Sequence, residues 1–343
     1  MPDTGNFLPT SANAPIFACL CRRVLRTIKP MTTKNDGQIT YAADAGGRTA
    51  ELIRLIERWT KEANAPYQTA IDGLRFSRFT EQTRPTFYIQ ETAVCFVLQG
   101  RKTVMLGKQS YVYDAASCLV ATVELPVAGC VSPESADKPY LGIVLNVNSK
   151  DLAALIIETG RQPSRRDENA SRALSITKIT PALADPLLRL VKLLDTPAEI
   201  AVMAPMIKRE INFRLLQTEQ FDLLSQAVVG DGKLGRVAHA ISWLKENLTS
   251  TLRIEELAGQ VHMSPSSLHH QFKEVTSLSP VQFQKRLRLQ KARQMMMTDK
   301  TSAEKIAYLV GYESPSQFNR EYRRLFGEPP KRDANRMRGH AEK

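Results

Sequence analysis

The residue pattern predicts an α+β chain: an antiparallel β-barrel with flanking helices, then an all-α domain holding two helix-turn-helix motifs. Three observations carry that prediction. Short β-branched and aromatic runs, separated by turn signals, crowd the stretch from Tyr67 to Val147. Apolar residues at helical spacing return on both sides of it. Residues 257–280, LAGQVHMSPSSLHHQFKEVTSLSP, are echoed by residues 306–330, IAYLVGYESPSQFNREYRRLFGEPP.

In chain order, residues 1–45 mix Pro, Thr, Asn and Gly around the basic stretch Cys21–Lys29. They are expected to be disordered or extended, and Met31 is a second candidate start. Leu52, Ile53, Leu55, Ile56 and Trp59 then share one helical face over Glu51–Trp59. Strands are expected at Phe87–Ile89, Val94–Leu98, Thr103–Leu106, Tyr111–Tyr113, Leu119–Val123 and Leu141–Val147. Turn signals lie at Gln99-Gly100, Gly107-Lys108 and Val131-Ser132-Pro133. Short strands at near-regular spacing argue for a small barrel or sandwich. Helical spacing resumes at Asp151–Glu158, Leu187–Leu194 and Pro205–Leu216, the last with Ile207, Ile211, Leu215 and Leu216 on one face. Gly230-Asp231-Gly232 reads as a linker. It separates a domain over 46–229 from one over 233–339, which a helix at Leu234–Leu248 opens.

With 343 residues, 43% apolar and 24% charged, the chain has the makeup of a globular protein with two domains. No apolar run approaches the ~20 residues that a membrane-crossing helix needs. The run Ile16–Leu20 is too short for a secretory signal, so a cytoplasmic location is expected. Of the net charge of +12, +8 falls in residues 231–343, where 20 Lys and Arg stand against 12 Asp and Glu. A basic excess around the doublet suits a phosphate-backbone partner. The cysteines, Cys19, Cys21, Cys95, Cys118 and Cys130, are odd in number and show no zinc-like pairing. A reduced compartment without a disulfide framework follows.

Within the doublet, Ile254–Val261 reads as a supporting helix whose small Ala258 admits a close crossing. Ser264 is a good N-cap and Pro265 sits where its missing N–H costs nothing. Leu268 and Phe272 then point inward together, leaving Ser266, Ser267, His269, His270 and Lys273 outside. The second unit repeats the design. Ser314 caps, Pro315 follows, Phe318 and Tyr322 turn inward, and Ser316, Gln317, Asn319, Arg320 and Arg323 face out. All these outward residues, with the two capping serines, are candidates for contacting double-stranded DNA. Arg320 suits guanine, and Gln317 or Asn319 suits adenine. Between the units, Val281–Met297 reads as a helix whose Phe283, Leu287, Leu289, Met295 and Met296 are core, holding the readers about one DNA repeat apart.

Residues 233–339 thereby resemble the DNA-binding domain of the AraC/XylS family, which has seven helices and two helix-turn-helix motifs. The resemblance rests on Ile254–Ala258, Ser264–Phe272, Ser279-Pro280, Arg288 with Ala292-Arg293, Ile306-Ala307, Val310–Tyr312 and Ser316–Pro330. Two departures stand out: the family usually carries Arg where His270 stands and Gly where Ser277 stands. The stretch Ala93–Leu155 resembles the cupin-like effector barrel of some family members. The resemblance implies a transcription regulator with promoter DNA and RNA polymerase as partners and a small-molecule effector in the barrel. Dimerisation is expected through Ile207–Leu216.

Candidate effector-lining residues are Phe96, Tyr111, Tyr113 and Tyr140. A metabolite-binding protein or metal-dependent enzyme with an incidental basic domain is the competing reading. All five histidines, His239, His262, His269, His270 and His340, lie in the C-terminal part, so a His-based metal site cannot form in the barrel. Asp114, Glu124 and Glu134 show no partner spacing. No catalytic residue, metal ligand or cofactor is assigned. Cys95, Cys118 and Cys130 are candidates for sensing electrophiles or oxidants, against the simpler reading that they pack as small apolar groups.

Overall fold

Glu51–Trp59 is helical, and the helix, α1, begins earlier, at Ala42 (Ala42–Trp59). It thus starts inside the segment expected to be disordered or extended. The computed structural model describes residues 42–60, 64, 66–135, 137–161, 173–228, 232–298 and 301–341. Cys19, Cys21, Met31 and the first two residues of the expected 230–232 linker lie outside the described residues, as does the side chain of His340.

Among the described residues ten strands follow: β1 (Pro66–Gln68), β2 (Leu74–Phe79), β3 (Thr86–Gln90), β4 (Ala93–Gln99), β5 (Arg101–Leu106), β6 (Gln109–Asp114), β7 (Ser117–Ala121), β8 (Leu125–Ser132), β9 (Tyr140–Asn146) and β10 (Leu174–Lys178). They form two antiparallel sheets, ordered β1-β2-β9-β4-β7-β10 and β3-β8-β5-β6. The architecture is a sandwich with open edges, a cupin-like arrangement that does not close into a barrel. Four strands are shorter or more polar than the sequence pattern resolves, or, like β8, interrupted by Pro126 and Gly129.

The six-stranded sheet is covered on both faces. Its outer face packs against α1, α2 (Ser149–Thr159), α3 (Pro181–Lys192), α4 (Ile200–Leu216) and α5 (Phe221–Val228). Strand β4 is therefore buried along both sides, with Val94, Phe96 and Leu98 toward the helices and Ala93, Cys95 and Val97 toward the other sheet. An unbroken apolar run is what such a strand shows. Helix α4 begins at Ile200 and runs through Pro205, five residues earlier than the sequence pattern suggests. Ile207, Ile211, Leu215 and Leu216 are all buried in this helical layer. The expected dimerising face is thus committed to the chain's own core, because helix periodicity marks an apolar stripe without saying what covers it.

Seven further helices follow among the described residues of the C-terminal part: α6 (Lys233–Glu246), α7 (Ile254–Gln260), α8 (Pro265–Thr276), α9 (Pro280–Thr298), α10 (Ala303–Leu309), α11 (Pro315–Phe326) and α12 (Pro330–Ala341). They divide into two apolar clusters. The first joins Leu234, Val237, Leu257, Leu268, Phe272 and Phe283 with residues of the sandwich interior. The second gathers Leu289, Ala292, Met296, Ile306, Phe318 and Tyr322. No helix among the described residues is long and apolar enough to cross a membrane.

Candidate nucleic-acid interface and sandwich interior

Each reader is built as a cap, a helix and a stop. The Ser264 Oγ accepts from the Ser267 N–H at 3.2 Å, and Pro265 opens α8. The Ser314 Oγ accepts from the Gln317 N–H at 3.4 Å, and Pro315 opens α11. Both serine oxygens are thus engaged in capping. Both helices end on a left-handed residue: Ser277 at φ 61° and Gly327 at φ 85°. A side chain in that region is strained, so Ser277 carries a cost that Gly327 avoids.

Leu268, Phe272, Phe318 and Tyr322 are fully buried, the first pair beneath Phe283 and the second beside Tyr312. Their burial turns the opposite helix faces outward. Ser266, His269, His270 and Lys273 are exposed on α8, and Ser316, Asn319, Arg320 and Arg323 on α11. Lys273, Arg320 and Arg323 form no ion pair within the described residues, which leaves cationic groups open to phosphates or base edges. Ser267 and Gln317 are less free. The Ser267 Oγ accepts from Gln271 at 3.1 Å, and Gln317 donates to Glu321 at 3.2 Å. His270 Nδ1 lies 3.8 Å from Glu274, which also pairs with Lys233.

Helix α9 belongs to both readers. Phe283 and Leu287 enter the first cluster, and Leu289, Ala292 and Met296 enter the second. Arg288 locks the junction by donating to the carbonyls of Leu248, Ser250 and Gly311 at 2.7, 2.8 and 2.8 Å. Gly311, at φ 89°, lies so near Thr249 that a Cβ would stand 2.7 Å from the Thr249 carbonyl oxygen. The Glu321 carboxylate accepts from Lys285, Tyr312 and Gln317, tying α9, the second turn and α11 together. Sequence reasoning placed Arg288 in the family pattern and missed this tie. A lone Arg in a basic helix carries no signal of carbonyls 23 to 40 residues away.

The seam between the sandwich and the first reader lies on the outer face of the four-stranded sheet. Arg286 stacks over Phe87 at 5.6 Å, Lys245 pairs with Glu124 at 2.5 Å, and Gly107 abuts Ser277. Contacts therefore run across the expected domain boundary.

Inside the sandwich, Tyr113 and Tyr140 are buried between the sheets. Tyr111 packs at the edge of the same cluster, its hydroxyl donating to Gln109 at 2.9 Å. Phe96 does not line this interior. Strand alternation turns it to the helical layer, a correction that an apolar run on both faces conceals. Cys95, Cys118 and Cys130 are buried, and burial pushes the thiols of Cys95 and Cys118 up, away from the reactive thiolate. Among the described residues no three His, Cys, Asp or Glu side chains cluster as metal ligands.

Two capped helices on a shared rod, beside a sandwich of ten strands among the described residues, define a double helix-turn-helix protein with an N-terminal β-sandwich domain. Residues 70–223 match the profile of the AraC-type transcriptional regulator N-terminus, and residues 257–336 that of a helix-turn-helix domain. The chain thus joins an AraC-type transcriptional regulator N-terminus to a helix-turn-helix domain. It is similar to the HTH-type transcriptional activator RhaS of Yersinia pestis bv. Antiqua (strain Angola), at 32% identity over 106 residues. That match takes in 31% of this chain and 39% of the relative, so it spans well under half the curated relative's length. Two Vibrio cholerae structures share its fold. A ligand-free point variant of ToxT aligns with a TM-score of 0.53 at 12% identity, over 78% of this chain and 98% of that one. Wild-type ToxT bound to an unsaturated fatty acid gives 0.51 at 13%, over 78% and 97%.

Proposed function

We propose that this protein is a sequence-specific regulator of transcription that binds promoter DNA through α8 and α11 and answers to a small organic effector in its sandwich. One observation carries the reading: two similarly capped helices share the rod α9, each offering an outward row of polar groups with cations that form no ion pair among the described residues. Ser266, His269, His270 and Lys273 serve the first reader; Ser316, Asn319, Arg320 and Arg323 serve the second. Ser264 and Ser314 act first as caps, and Ser267 and Gln317 reach DNA after releasing Gln271 and Glu321. The effector role draws support from the AraC-type N-terminal match and from the fatty acid bound by ToxT. RNA polymerase and a second copy of the chain are further partners, the latter through a surface other than Ile207–Leu216. The protein works by binding and not by catalysis.

In this mechanism an effector that prefers one arrangement of the readers shifts the population of DNA-bound states. The Phe87–Arg286 and Gly107–Ser277 contacts give the sandwich a direct hold on the first reader. Footprinting of the full chain on its own promoter tests the reading. Protection of consecutive major-groove faces, weakening steeply with salt, supports it. Protection of one face alone, or none against competitor DNA, refutes it.

A further inference from the structure

Polar groups gather at one place between the sheets. Lys102 on β5 shares the inward parity of Val104 and Leu106, and its direct cross-strand partner on β6 is Tyr113. Its ammonium lies 5.5 Å from the centre of the Tyr88 ring, which reaches from β3 over Gly129. A Cβ at residue 129 would stand 3.0 Å from the Tyr88 hydroxyl. From the opposite sheet, Tyr140 on β9 places its hydroxyl in the room that Gly142 leaves.

These groups lack an acceptor. The hydroxyls of Tyr88 and Tyr113 are buried without a hydrogen-bond partner, and Tyr113 is only 2% exposed. Tyr88 sits beside Lys102, itself a donor, and Tyr113 beside the Cys95 thiol, a poor acceptor. Lys102 forms no ion pair among the described residues. Burial holds the phenol protons in place, pushing Tyr140 up to about 12 and raising Tyr88 and Tyr113 as well. The cluster is therefore made of donors and one cation. Buried donors are almost always satisfied in native proteins, so two orphans beside a lysine without such a pair call for a ligand. The ligand's chemistry follows from what is missing. A sugar needs acceptors as well as donors, whereas a carboxylate is acceptor-only. One lysine matches one negative charge, and the neighbouring surface is apolar.

We propose that Lys102, Tyr88, Tyr113 and Tyr140 receive the carboxylate of a small organic monoacid, whose apolar body lies between the sheets. The proposal rests on the effector reading above and names the ligand class and its anchor.

Thermal melting of the full chain tests it with straight-chain acids from acetate to dodecanoate, and benzoate, each beside its primary amide. At least one acid should raise Tm saturably while its amide does not. Lys102→Met should weaken that acid at least tenfold, and Tyr113→Phe several-fold, with the DNA affinity of the ligand-free protein unchanged in both. The proposal is overturned if no acid outperforms its amide, or if Lys102→Met binds the acid as wild type does. A response to amides alone would remove the anion anchor and leave the effector reading standing. DNA binding is measured separately, so a failure of the regulator reading appears there and not in the acid titration.

Discussion

Replacing Asp333 with alanine tests how the second reader is held together. The side chain is wholly buried, and its carboxylate accepts from Arg293 at 2.8 and 3.2 Å, from the Tyr322 hydroxyl at 2.8 Å and from Arg336 at 2.6 Å. One carboxylate thus joins α9, α11 and α12. Its removal strands a guanidinium that is 15% exposed and stacked 4.5 Å from Phe326, together with a buried phenol. Removing one partner of a buried pair costs ~3–5 kcal/mol. Arg336 is half exposed and adds little. Native-state hydrogen exchange is the assay: protection of α11 amides should fall by roughly a hundred- to several-thousand-fold, while β4 and β9 keep theirs. A loss below ~1 kcal/mol, the range of a surface pair, or one spread evenly over the sandwich, refutes the reasoning.

Phe272→Ala should cost the first reader ~3–5 kcal/mol, read by urea denaturation, since a buried ring packed edge-on against Phe283 leaves a cavity. Ser277→Gly should stabilise the protein by up to about 1 kcal/mol by relieving the left-handed end of α8, visible as a higher Tm; an unchanged or lower Tm counts against strain there. Burial works to raise the carboxyls of Asp333 and Glu321, but their hydrogen bonds, led by Arg293 and Lys285 respectively, leave both below the usual carboxylate range. Their stabilisation is full above the unfolded values near ~4 and is lost as pH falls through them toward the folded ones. The Tm should therefore hold from about pH 6 to 5 and drop below about 4, with a shallower drop in Asp333→Asn. Arg320→Ala should relax preference at one base position by ~1–3 kcal/mol in a binding-site selection; an unaltered profile removes Arg320 from the readers.

The two readers were legible because their signals are local. A Ser-Pro cap fixes where a helix starts, and i, i+4 apolar pairs fix which side is buried, so the outward faces of α8 and α11 followed without tertiary knowledge. The sandwich was legible only in part. Strand β4 is apolar on both sides, so alternation could not tell that Cys95 faces the other sheet while Phe96 faces the helices. Strand β10 pairs with β7 over fifty residues away, a partnership that no local pattern announces.

Sequence by itself determined the paired helix-turn-helix design, its outward cations and the β-rich character of the N-terminal half, because caps, turns and periodicity act within a few residues. Tertiary structure alone decided that the Ile207–Leu216 stripe is covered by the chain's own layers. It also decided that Arg288 clasps carbonyls from both units, and that Lys102 meets orphan tyrosines between the sheets. Those outcomes depend on which distant surfaces come into contact, and burial and hydrogen-bond satisfaction are properties of the packed whole.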